Sequence, residues 1–119
     1  MKWKREDVVI TESIENYLTR IFDEEIAKGF DLKVSIGTDS SKYGKPGYYK
    51  FATVILISTS EDLGGGVIVG RGGLVIHTTY YNQFKNRDKE LVNERMVYEV
   101  GKSIEVAYEI APLLDLYEI

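Results

Sequence analysis

A chain of 119 residues with 44% hydrophobic and 29% charged side chains can close one core without staples, and its composition excludes disorder and fibrous repeats. The absence of cysteine removes disulfide frameworks, zinc ribbons, thiol nucleophiles and iron–sulfur ligation, and the single His77 excludes any site built on two imidazoles. The formal charge of −4 conceals a partition, because residues 33 to 89 hold eight basic side chains against four acidic ones and leave the acidity to the flanks.

Met1 to Asp7 is mostly charged and leads into three apolar residues, giving neither a secretory leader nor a membrane span, so a cytoplasmic protein is expected. Thr11 then stands as an N-cap candidate before Glu12, Ser13, Ile14 and Glu15, whose acids favour a helix N-terminus. Ile14, Leu18, Ile21, Phe22 and Ile26 recur at three- and four-residue steps, which predicts a helix over 12–28 with Gly29 at its C-terminal cap.

Leu32 to Thr38 reads as a strand, with Val34, Ile36 and Thr38 on one face and Ser35, Gly37 and Asp39 on the other. A turn over Ser40 to Gly47 leads to a second strand over Tyr48 to Thr59. The centre of that strand, Phe51 to Ile57, is apolar on both faces, so an internal strand covered by helices is expected. Glu61 to Gly66 forms the next turn. Val67 to Tyr81 is a third strand, interrupted at Gly70-Arg71-Gly72-Gly73 by a bulge or hairpin, and Asn82 to Asp88 is polar loop.

From Lys89 to Ala111 the set Val92, Met96, Val100, Ile104, Ala107 and Ala111 predicts a long amphipathic helix, centred on Val100 and ended by Pro112. Leu113 to Ile119 then reads as a strand. Short turns make the first three strands an antiparallel meander, and the long helix is a crossover that lays the fourth strand parallel to the first. The expected fold is α/β with a mixed sheet and no internal domain boundary.

The run Ile36-Gly37-Thr38-Asp39-Ser40-Ser41 places a carboxylate at the end of an apolar strand beside a glycine, with room for a hydrated cation or a phosphate. The same residues also suit a turn in which Asp39 caps backbone N–H groups. On the long helix Glu99 falls at one edge of the Val100 stripe and Glu94 at the other, while Glu105 and Glu109 point farther away. The glycine-rich stretch from Gly64 to Gly73 matches neither GxGxxG nor the P-loop and precedes a strand, so it is turn plus bulge. Tyr80, Tyr81, Phe84, Lys85 and Arg87 interleave aromatics with cations, a pattern that stacks on a single strand or else completes a core. His77 reads as an ordinary strand residue.

Together, Ile36-Gly37-Thr38-Asp39-Ser40, Phe51-Ala52-Thr53-Val54-Ile55, Gly70-Arg71-Gly72-Gly73, Glu94-Arg95-Met96, Glu99-Val100 and Ser103-Ile104 resemble the YkuK-like family of bacterial proteins, described as predicted RNase H-like nucleases. The resemblance covers about Leu32 to Ile119. It implies an RNase H-like fold and a metal-dependent nuclease acting on RNA or RNA–DNA hybrid phosphodiesters through two ions, Mg2+ or Mn2+, which coordinate the same phosphate. Carried over by residue, it implies Asp39 and Glu99 as metal ligands, Glu94 as the fallback, and Lys42, Lys50 or Arg71 on the nucleic-acid backbone. The family carries a further carboxylate beyond the last strand, so the resemblance also implies a domain incomplete at its C-terminus, with a helical segment over 1–31 and sheet and crossover helix over 32–119. The alternative is a non-catalytic module of the same fold that binds nucleic acid or protein.

Overall fold

In the computed structural model, which describes residues 2–84 and 89–119, the chain opens with two short strands, β1 (Lys4–Arg5) and β2 (Val8–Val9). Helix α1 follows over Ile14–Ala27. Its N-cap is Ser13, whose side chain accepts a hydrogen bond from the Asn16 backbone N–H at 3.1 Å, and not Thr11. The helix starts at the capping residue that immediately precedes the first buried apolar side chain, Ile14. Its other end fits the sequence expectation: Gly29 has φ +84°, its N–H reaches the Ile26 carbonyl, and the Phe30 N–H reaches that of Glu25. These two bonds form a Schellman cap, which needs a left-handed residue that glycine adopts without a Cβ clash.

Three long strands come next: β3 (Asp31–Lys42), β4 (Tyr48–Gly64) and β5 (Val67–Gln83). They outrun the predicted spans because the ladders continue through polar residues such as Asp39, Ser40, Ser60, Glu61 and Asn82, which a hydropathy pattern assigns to turns. Gly65 and Gly66, with φ of +62° and +83°, make a two-residue turn between β4 and β5. Positive φ at both central positions is the turn that matches strand twist and that glycine favours. Across the β4–β5 ladder Thr59 faces Gly72 and Ser60 faces Gly70, so Arg71 is the extra residue of the expected bulge.

The sheet order is β2-β1-β5-β4-β3 and every pairing is antiparallel. Helix α2 (Lys89–Leu116) closes the fold. Ile55, Ile57 and Ile76 project from one sheet face into a core shared with Ile14, Leu18, Ile21 and Phe22 of α1 and Val106 and Ile110 of α2, so both helices lie on that face.

Three expectations are corrected here. Among the described residues no fourth strand lies parallel to β3, because Leu113 to Leu116 continue α2 through Pro112. Ile110, Leu113, Leu114 and Tyr117 keep helical spacing onto the core, and Tyr117 packs edge-on against Phe22 at 5.3 Å. Proline forfeits only its bond to the Tyr108 carbonyl, on a side of the helix where both residues are exposed. Next, β4 is covered on one face alone among the described residues, leaving Ala52, Val54 and Leu56 half-buried on an open face. Finally, the stripe expected to be buried on α2 is not: Val100 and Ile104 are 58% and 48% exposed, whereas Val106 and Ile110 are fully buried. The helix is turned because the sheet meets it with hydroxyls and aromatic rings, which Ser103, Glu99 and Tyr98 match better than valine does.

Candidate functional site

The motif Thr38-Asp39-Ser40 is split by strand alternation. Thr38 and Ser40 point toward α2. Thr38 Oγ1 lies 2.8 Å from Thr53 Oγ1 and 2.7 Å from Ser103 Oγ, and the Ser40 hydroxyl donates to the Glu99 carboxylate. Arg95 Nη2 donates to the same Ser40 Oγ at 2.9 Å, and its guanidinium stacks over the Tyr49 ring with 4.1 Å to the centroid. Arg95 Nε is buried and finds no hydrogen-bond partner among the described residues. Alongside, Lys102 sits over the rings of Tyr80 and Tyr98 at 4.9 and 5.2 Å and bonds Glu105 at 3.3 Å. Burial is the largest influence on the Lys102 ammonium and works against it, but the Glu105 carboxylate together with Tyr98 and Tyr80 leaves the pKa raised. Burial likewise raises the Tyr80 phenol, against the Thr53 hydrogen bond and the Lys102 charge. This polar layer ties α2 to the sheet with nearly every group satisfied.

Asp39 points the other way, onto the open face, where its carboxylate takes a hydrogen bond from the Ser40 backbone N–H at 2.8 Å. Asp39 and Glu99 therefore stand on opposite sides of the sheet and do not meet. Glu94 lies on the far flank of α2, beside a shallow depression lined by Phe84, Asn93, Val97 and Tyr98. Among the described residues no group of three or more His, Asp or Glu side chains converges where an ion could be held.

The predicted backbone-binding cations divide. Lys42 lines a cleft of about 710 Å³ at the β3–β4 hairpin end, with Lys45, Tyr48, Tyr49, Gln83 and Phe84. Lys50 stands at the same end on the open face, in register with Tyr81. Arg71 is at the opposite end of the sheet, in the bulge, bonded to Glu61 at 2.8 Å. The hairpin also brings in a residue that the sequence reading passed over: Tyr43 packs on Tyr81, one of the stacking candidates, with ring centroids 4.9 Å apart, and each tyrosine is 55% exposed. The signal was present as the run Lys42-Tyr43-Gly44-Lys45-Pro46-Gly47-Tyr48, in which cations and aromatics alternate within a turn. Lys85 and Arg87, read earlier with this aromatic group, lie outside the described residues.

No helix among the described residues is long and apolar enough to cross a membrane. No curated protein and no solved structure matches the chain. A family model described as Ribonuclease H-like does match, over residues 10–118, a span that takes in α1, the three long strands and α2. On that match, and in agreement with the resemblance carried by the Ile36 to Ser40 run, the chain belongs to the Ribonuclease H-like family.

Proposed function

We propose that this chain is a nucleic-acid-binding domain of RNase H-like type that takes RNA or an RNA–DNA hybrid at the β3–β4 hairpin end of its sheet. The observation that carries the proposal is the exposed Tyr43–Tyr81 pair, with Lys50 in register with Tyr81 on the open face and Lys42 and Lys45 lining the cleft at the same hairpin end. Stacking of a base on an aromatic ring contributes about 1–3 kcal/mol and tolerates any sequence, while lysines track the phosphates. The net charge of −4 is no obstacle, since residues 39 to 50 carry three lysines and one aspartate.

Hydrolysis by two Mg2+ or Mn2+ ions is the activity the family resemblance implies, and it needs several carboxylates around one phosphate. Asp39 and Glu99 do not fit such a site as a pair, since the sheet separates them and Ser40 and Arg95 already engage or flank Glu99. The proposal therefore ends at binding and routes no step through a metal.

The test is fluorescence anisotropy with labelled single-stranded RNA and with an RNA–DNA hybrid. Tyr81→Ala is expected to weaken binding by about tenfold or more, and Lys42→Gln with Lys45→Gln to flatten the dependence of log affinity on log salt. Absence of binding at low salt, or variants that bind like the parent, would overturn the proposal. Cleavage with added Mg2+ that both Asp39→Asn and Glu99→Gln abolish would replace it with the nuclease reading.

A further inference from the structure

Strand β3 ends the sheet order, so among the described residues its outer edge is unpaired along its 12 residues. Its ladder to β4 runs without a break from Asp31 opposite Ser60 to Lys42 opposite Tyr49, and it contains no proline. The other side of the sheet is blunted, by the β1–β2 hairpin at His77 and by the Arg71 bulge. A long, regular, unbroken edge is a template for another strand.

The exposed stripe of α2 faces past this same edge. Tyr98 packs inward on Phe51, Ser103 bonds Thr38 of β3, and the next side chains around the helix are Val100 and Ile104, which border a groove with Ile36 and Thr38. Met96 continues the stripe, 57% exposed. A free edge and an apolar helix side thus lie one above the other.

We propose that the occupant is a second copy of this chain, with the two β3 strands antiparallel about a two-fold axis through Ile36. The axis is normal to the sheet, so each opposed pair must share a face, and their numbers then add to an even total. Centring on Ile36 sets Lys33 opposite the partner's Asp39, and symmetry makes that pair twice. Centring on Ser35 would instead oppose Asp31 with Asp39, and centring on Gly37 would set Lys33 against Ser41. Within one chain Lys33 and Asp39 are six residues apart on the open face, about 20 Å, and cannot pair with each other. The two-fold gives each its counter-ion, joins two five-stranded sheets into one, and lays the Val100–Ile104 stripes against each other over Ile36.

Sedimentation equilibrium of the full chain tests this, with a mass twice 13.6 kDa expected. Lys33→Glu and Asp39→Lys should each weaken the dimer by about tenfold, replacing two attractions by two repulsions, and the double variant should restore it. Val100→Asn should weaken it too, with the far-UV spectrum unchanged because the side chain is exposed. A monomer at about 100 µM, a dimer indifferent to these changes, or a double variant that fails to recover would overturn the proposal.

Discussion

Glu99 offers the sharpest test of what the polar layer under α2 does. In the structure its carboxylate receives the Ser40 hydroxyl, and Ser40 also receives Arg95 at 2.9 Å, so one serine joins an anion to a cation in a half-buried setting. Glu99→Ala removes the acceptor of a charge-assisted hydrogen bond, worth about 1.5–3 kcal/mol, and breaks the Ser40 link between the carboxylate and the guanidinium. A loss of about 2–3 kcal/mol is expected, a midpoint shift on the order of 1 M urea. Ser40→Ala should cost somewhat less, and the double variant should cost less than the sum by about 0.5–3 kcal/mol, because the three groups form one network. Urea unfolding followed by circular dichroism measures all of these. The sign is decisive: a carboxylate held in place for metal chemistry relieves repulsion when removed from the metal-free protein and leaves stability equal or higher. A stabilising or neutral Glu99→Ala, or strictly additive effects, would refute the structural role argued for it.

Two further outcomes follow from the same structure. Pro112→Ala is expected to stabilise the protein by about 1–2 kcal/mol, since it restores an N–H to the Tyr108 carbonyl within a helix; no gain in thermal unfolding would argue that residues 113–116 are not helical. The Glu109 carboxyl has a raised pKa, through burial first and then the Glu15 carboxylate beside it on α1, so the folded state holds this proton more tightly than the unfolded chain. Stability from this group is full below the ordinary glutamate value and is lost as pH rises through the raised one, and Glu109→Gln should flatten that decline in urea midpoints taken from about pH 4 to pH 7. An unchanged slope would refute the assignment.

The open sheet face and the polar layer explain why the candidate site was only half legible. Lysine and tyrosine at the hairpin are local features, so their common presence at residues 42 to 50 could be read directly, whereas Arg71 is near them in motif order and remote in space, at the far end of a 17-residue strand. Asp39 and Glu99 illustrate a different limit. Both stand where residue type and spacing suggest, yet a carboxylate reaches an ion only from the correct face, and on a strand that choice is a matter of one residue.

By itself the sequence determined what depends on near neighbours along the chain. The three- and four-residue spacing of α1, the left-handed glycine at its end, the three alternating strands and the bulge at Arg71 all follow from local sterics and periodicity. The tertiary structure alone decided which side of α2 is buried. That helix carries two apolar sides, one with Val100 and Ile104 and one with Val106, Ile110 and Leu113, and periodicity cannot rank them. The ranking comes from the surface each side must meet: Thr38, Ser40 and Phe51 on the sheet select Ser103, Glu99 and Tyr98, and the other stripe is left facing the free edge of β3. The same packing carries α2 through Pro112, because burying Leu113, Leu114 and Tyr117 against α1 and the sheet outweighs one lost hydrogen bond on the solvent side.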